Sequence, residues 1–283
     1  MSQDNAYLLG HADQEMERLK LQAACLEGLT RRLIRECGIE AGMVVADFGS
    51  GAGDVAMLVA ETVGEGGKVI GVDAEPRAVA RARAQAAGLS QVTFEVGSDS
   101  DLARLGPFDA VICRCVLVHQ PDPAATLRRF AAAVRRGGVV ACMEPAVHVD
   151  SITLPEVELI RAFGDSISKF MRAALPSPDI AGRIIPCFID AGLPAPKVLW
   201  EAIVPSLDLR LLQLGVLTYQ TFLPLMQRFG AVDPRVGDPA TLYDRLLDAA
   251  VAARAQTVLM PYASAWARLA DPGTAPFASA SEA

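Results

Sequence analysis

The stretch that most limits the possible folds is VVADFGSGAGD, residues 44–54. A short apolar run enters a turn with glycine at 49, 51 and 53, and a helical pattern follows. Glycine lets the backbone bend into left-handed conformations and puts no Cβ in the way of a ligand. Asp73 closes the next predicted strand, KVIGVD, 20 residues after Gly53. A carboxylate at that place can accept hydrogen bonds from a ribose diol. Strand, glycine turn, helix and spaced acid together point to a bound nucleoside.

The same alternation continues down the chain. Residues 54–63 and 76–87 carry helical spacing and stop at Gly64 and Gly88. QVTFEVGSD, PFDAVICRCVLV and VVACMEP read as strands, with a helix over PAATLRRFAAAVRRGG. Five strands separated by helices imply an α/β fold with a parallel sheet. Ligands of such sheets sit beyond the carboxyl ends of the strands. That expectation lines up Gly49, Asp73, Asp99 and Arg114 along one rim.

Apolar residues at 16, 19, 23, 26 and 33 predict a helix over 12–37, ended by Gly38. After Glu144 the pattern changes. Residues 155–175, 207–230 (bent near Pro224) and 241–256 read as helices, and KVLWEAIVP as a sixth strand. TVLMPYASAWARL reads as a last strand, with Pro261 favouring an edge or a bulge.

Composition narrows the function. A net charge of -7 and a pI of about 5.1 give no general attraction to phosphate backbones, so no nucleic-acid partner is expected. The start, MSQDNAYLLGHADQEMERL, lacks the pattern of a signal peptide, and no long uncharged apolar stretch suggests a membrane span. The expectation is a cytoplasmic protein whose six cysteines stay reduced. Cys113 and Cys115 have one residue between them, and the chain has three histidines, so no metal centre is expected.

Two nucleotide motifs fit poorly. The dinucleotide fingerprint G-x-G-x-x-G would need glycine where Asp54 stands. An ionised Asp54 would repel a pyrophosphate at that helix start. No Gly-Lys-Ser or Gly-Lys-Thr follows the turn, which removes a P-loop.

The segments VVADFGSGAGD, VIGVDAEP, VTFEVGSDS, FDAVICRCVLVHQPDP and GGVVACMEP resemble, in order, a Rossmann-like methyltransferase that uses S-adenosylmethionine. The likeness covers about residues 43–145 and points to the small-molecule branch, similar to ubiquinone, menaquinone and natural-product enzymes. YLLGHADQEMERLKLQA resembles the leading segment of one bacterial branch. Phe48 departs from the cysteine often found there.

This resemblance implies a seven-stranded sheet with an antiparallel last strand, an N-terminal helical segment and C-terminal helical insertions. It divides the chain into a helical lid (1–40), a cofactor-binding core (41–150), the rest of the sheet with helices that cap substrate or build a homodimer contact (151–270), and a loose tail (271–283). It implies that Asp47 and the turn Gly49, Ser50 and Gly51 lie by the amino-acid part of S-adenosylmethionine. Asp73 would bind the ribose, with Ala74 beside the adenine. Asp99 would accept from the adenine amino group, with Ser100 next to it. The backbone of Cys113 and Arg114 would hold the methionine moiety. Tyr7, Arg18 and Gln22 are the candidates from the leading segment. From its residue type alone, Asp47 is equally a structural acid that bonds the turn.

The implied reaction is in-line transfer of methyl to O, N or C of a partly hydrophobic small molecule, leaving S-adenosylhomocysteine. His119 follows the fourth strand and suits proton acceptance near neutral pH. Substrate contact and loop capping are its other roles. Glu144 and His148 are substrate-contact candidates, and Glu144 could instead orient a loop. The rival readings are cofactor-assisted rearrangement or cyclisation, NAD(P)-dependent hydride transfer, and ligand binding without catalysis.

Overall fold

A computed structural model describes residues 13–150, 152–204 and 209–269. In chain order the strands are β1 (Val44–Phe48), β2 (Lys68–Asp73), β3 (Val92–Val96), β4 (Phe108–Arg114), β5 (Val134–Pro145), β6 (Ile152–Leu154), β7 (Lys197–Glu201), β8 (Gln256–Val258) and β9 (Tyr262–Arg268). The α-helices are α1 (Asp13–Glu36), α2 (Asp54–Val63), α3 (Pro76–Gln85), α4 (Leu102–Leu105), α5 (Pro123–Ala133), α6 (Glu158–Ala174), α7 (Ile184–Asp190), α8 (Leu209–Arg228) and α9 (Leu242–Ala253). They divide into two compact units.

The larger unit takes residues 29–146, 176–201 and the chain from 262. Its sheet has seven strands in the order β3-β2-β1-β4-β5-β9-β7. β1 to β5 run parallel, and β9 is antiparallel to both β5 and β7. Every residue of β2 after Lys68 is buried, as expected for a parallel strand covered on both faces. Phe48 stands beside Val72 and Cys113, and Cys113 beside Cys142. The carboxyl ends of β1, β2, β4 and β5 therefore finish level. That register delivers Gly49, Asp73, Arg114 and Glu144 to one rim.

Helix starts follow local chemistry. Glu75 accepts the Arg77 N–H at 3.1 Å ahead of α3, and Asp122 accepts the Ala125 N–H at 3.0 Å ahead of α5. Each is followed by proline at the first helical position, where no N–H is missed.

The sheet differs from expectation at its last strand. β9 lies inside the sheet, between β5 and β7, and is not an edge. Pro261 stands one residue before the strand, so its missing N–H interrupts no ladder. The first part of TVLMPYASAWARL does not join β9. Residues Gln256–Val258 form β8, which pairs antiparallel with β6.

The smaller unit takes the chain up to residue 28, residues 147–175 and residues 202–261. Its core is built by α6, α8 and α9 around Phe170, Val216, Tyr219, Phe222, Met226, Leu242 and Leu246. Phe170 and Phe222 stack with ring centroids 5.4 Å apart. The apolar residues Val216, Tyr219, Phe222 and Met226 of α8 are thus internal. Their burial removes the reason to read that helix as an apolar dimer surface. Among the described residues no helix is long and apolar enough to cross a membrane.

Candidate cofactor site

The turn after β1 takes its shape from three left-handed glycines: Gly49 (φ 68°), Gly51 (φ 52°) and Gly53 (φ 96°). Side chains with a Cβ resist that region, which accounts for the alternating spacing. The turn is tied to β2. The N–H groups of Gly49 and Ser50 donate to the Val72 carbonyl at 2.8 and 3.1 Å. The Gly51 N–H donates to Asp73 Oδ2 at 2.8 Å, and the Glu75 N–H donates to Asp73 Oδ1 at 2.9 Å. Asp73 is buried, so these charge-assisted bonds are shielded from water.

The three glycines meet different surroundings. A Cβ at Gly53 would come within 2.8 Å of the Phe94 ring. One at Gly49 would collide with Val116 Cγ2. One at Gly51 would meet nothing within 4 Å, so the backbone there faces open space.

Two buried polar atoms at this turn have no hydrogen-bond partner among the described residues: Asp47 Oδ2 and Ser50 Oγ. Burial pushes the Asp47 carboxyl up to about 8, against the opposing pull of Arg114 and the Ala56 N–H. Asp54, the first residue of α2, is also pushed up by burial, with Arg114 and Arg81 opposing. Arg114, at the end of β4, donates from Nη1 to Thr30 Oγ1 at 2.9 Å. Buried polar atoms are normally satisfied. Two unsatisfied ones beside an open glycine backbone fit a ligand that carries its own donors. A ligand ammonium would suit Asp47, because it would stabilise the carboxylate that burial disfavours.

The other expected residues are placed as follows. Ala74 is exposed directly after β2. Asp99 stands just past β3, and its Oδ2 accepts from Thr126 Oγ1 at 3.1 Å and Arg129 Nη1 at 2.7 Å. Ser100 is exposed beside it, its hydroxyl 2.7 Å from that of Ser98. Cys113 is wholly buried in β4, and its thiol is pushed well above the ordinary range by burial.

Glu144 has no exposure at all. Its Oε1 accepts the N–H groups of Val116 (3.0 Å) and Leu117 (2.9 Å), and its Oε2 accepts that of Val118 (3.1 Å). Burial raises its carboxyl to about 7, with the three N–H groups opposing. Of the two roles open to it from sequence, this geometry supplies the orienting of a loop. His119 ends that same 3-10 turn, Leu117–His119, with its residue exposed.

Arg18 and His148 belong to the smaller unit. Arg18 is buried, with Nη1 2.8 Å from Gln22 Oε1 and its guanidinium carbon 5.5 Å from the Phe222 ring centroid. His148 is exposed in the segment after β5. Arg172 holds that segment, donating to the Val147 carbonyl at 3.0 Å and to Asp150 Oδ1 at 2.6 Å. Tyr7 lies outside the described residues.

Asp47, Gly49, Ser50, Gly51, Asp73 and Arg114 therefore gather at one glycine turn. Sequence reasoning missed Thr30, Val116, Thr126 and Arg129. Only the last pair left a trace: Thr126 and Arg129 are three residues apart on α5 and share a helix face.

A family model described as a methyltransferase domain matches residues 39–174. The arsenite methyltransferase of Aquipseudomonas alcaligenes is 38% identical over 117 residues, covering 36% of this chain and 34% of that protein. The ubiquinone biosynthesis O-methyltransferase of Sodalis glossinidius is 41% identical over 105 residues, covering 35% of this chain and 40% of that protein. The chain thus spans less than half the length of these curated relatives. The crystal structure of YcgJ from Bacillus subtilis superposes with a TM-score of 0.55 at 17% identity, over 86% of this chain and 99% of that one, a likeness of fold. Residues 39–174, just under half of the chain, are thus similar to a methyltransferase domain, and about a third of the chain is similar to parts of curated methyltransferases.

Proposed function

We propose that the protein transfers the methyl group of S-adenosylmethionine to an oxygen, nitrogen or carbon of a partly hydrophobic small organic acceptor. The cofactor supplies an electrophilic methyl on a sulfonium, which makes alignment the protein's main task. The observation that carries this reading is the glycine turn tied to Asp73, with Asp47 Oδ2 and Ser50 Oγ left unsatisfied beside it.

Each residue then has a defined task. Asp47 accepts from the amino-acid ammonium, and the turn Gly49, Ser50 and Gly51 admits that end of the ligand. Asp73, held by two backbone N–H groups, keeps lone pairs for the ribose hydroxyls. Asp99 keeps Oδ1 for the adenine amino group, because Thr126 and Arg129 both engage Oδ2. Ala74 and Ser100 flank the adenine. The backbone of Cys113 and Arg114 borders the methionine chain. Tyr7, which lies outside the described residues, and Arg18 are the cofactor candidates of the leading segment by resemblance alone. His119 accepts the proton of a protic acceptor, and His148 contacts the acceptor.

Two cysteines of the sheet are poorly placed to receive a thiophilic acceptor. Cys113 and Cys142 are wholly buried, with thiols pushed well above the ordinary range. Among the described residues no three His, Cys, Asp or Glu are grouped to hold a metal ion. The net charge of -7 favours a small molecule over nucleic acid.

The test is calorimetric titration with S-adenosylmethionine, S-adenosylhomocysteine and NAD, followed by an acceptor screen read by product mass. Binding of the first two, and an acceptor that gains one methylene in mass, is the expected result. A consumed acceptor of unchanged mass would mean rearrangement or cyclisation. Binding of NAD alone would overturn the reading in favour of hydride transfer.

A further inference from the structure

Glu144 sits beneath the segment that follows β4. Three consecutive N–H groups, of Val116, Leu117 and Val118, point at its carboxylate. The segment begins at Cys115, a non-glycine residue with φ 56°, whose N–H donates to the Met143 carbonyl at 2.8 Å. That backbone conformation is costly for a side chain with a Cβ and persists only where its surroundings enforce it. From the other side, the Ser177 N–H donates to the Val118 carbonyl at 3.1 Å, and Ser177 Oγ donates to the Gln120 carbonyl at 2.7 Å. The segment is thus fixed through its backbone, whatever its side chains do.

One of those side chains reaches the glycine turn. Val116 is buried, and its Cγ2 occupies the place that a Cβ on Gly49 would need. Val116 therefore forms a wall of the turn. Its own N–H is one of the two held by Glu144 Oε1. The chain of contact runs from a carboxylate on β5, through the backbone after β4, to the turn after β1.

We propose that Glu144 is a positioning residue for the cofactor pocket, acting through the Val116 backbone to seat the Val116 side chain against Gly49. It touches neither cofactor nor acceptor. This inference rests on the reading of the glycine turn as the S-adenosylmethionine site.

The test is a double-mutant cycle read as S-adenosylhomocysteine affinity, at a temperature where all variants are folded by circular dichroism. Glu144→Gln preserves shape and can keep the two bonds at Oε1. It turns an amide NH2 towards the Val118 N–H and so loses the third bond. Val116→Ala removes the wall and leaves Glu144 in place. Each single variant should weaken binding about tenfold, as expected for one lost charge-assisted hydrogen bond or one displaced wall. The double variant should bind no more weakly than the worse single, because both act at one contact.

A double variant whose loss is the product of the single losses would overturn the proposal. So would a Glu144→Gln protein that melts earlier yet binds with unchanged affinity, since that is a purely structural carboxylate. Failure of the wild-type protein to bind S-adenosylhomocysteine would instead remove the underlying reading of the site.

Discussion

Asp73 Oδ2 and the Gly51 N–H lie 2.8 Å apart, joining the end of one strand to the turn that follows its neighbour. The bond makes Asp73 both an architect of the turn and its acidic rim. Asp73→Asn keeps an acceptor but removes the charge. It should weaken S-adenosylhomocysteine binding by about 10- to 100-fold, the loss of one to two charge-assisted bonds. Calorimetry checks this, and a circular dichroism melt separates it from unfolding.

Gly51 and Gly49 should respond differently to alanine. Both are left-handed, so each alanine carries a backbone cost of about 1–2 kcal/mol. At Gly51 the new methyl meets open space. Gly51→Ala should lower stability by little more than that cost while blocking the approach of cofactor. At Gly49 the methyl collides with Val116, so Gly49→Ala should lose stability and binding together. Thermal melts beside titrations resolve the two cases. Equal binding loss per unit of stability loss would contradict the open space over Gly51.

The strands and turns of the core were readable because their signals are local. Gly53 and Gly64 bracket α2, Pro76 and Glu75 open α3, and alternating glycines can serve little but a left-handed turn. What stayed hidden depends on partners far along the chain. Arg129 and Arg135 pair with Asp99 and Asp109, 30 and 26 residues earlier in the chain. The partners of Glu144 are backbone N–H groups, which every sequence has and none advertises. Pro261 misled because one residue decides whether a proline interrupts a strand or merely precedes it. The role of Asp99 rests on resemblance and those of His119 and His148 on their places after β4 and β5, since a rim position alone does not say which ligand atom a side chain meets.

The stability of the unliganded protein should depend on Asp47. Burial raises its carboxyl to about 8, above the ~3.9 of an unfolded chain. Between these values the folded state holds the extra proton, so stability falls as pH rises. Asp47's contribution is fully present below about pH 4 and is lost as pH climbs through about 8. Glu144, raised to about 7, acts in the same direction. The informative quantity is therefore the difference between wild type and Asp47→Asn, which cannot ionise. From pH 5 to pH 8 the wild-type Tm should fall by several degrees more than that of the variant, at about 2–4 °C for each kcal/mol. A parallel fall in both proteins would mean that Asp47 keeps its ordinary acidity despite its burial.

His119 offers the sharpest test of chemistry apart from binding. It ends the turn held by Glu144, and its residue is exposed. If it takes the acceptor's proton, His119→Asn should leave S-adenosylhomocysteine affinity within about twofold of wild type and lower kcat by about 10²- to 10⁴-fold with a protic acceptor. If it only contacts the acceptor, KM should rise while kcat holds. Once an acceptor is identified, steady-state rates with its protic form and an already deprotonated analogue distinguish these roles. A base becomes dispensable for the analogue, so the His119→Asn defect should shrink there. A defect of equal size for both acceptors would remove His119 as the base and leave it a contact or a cap.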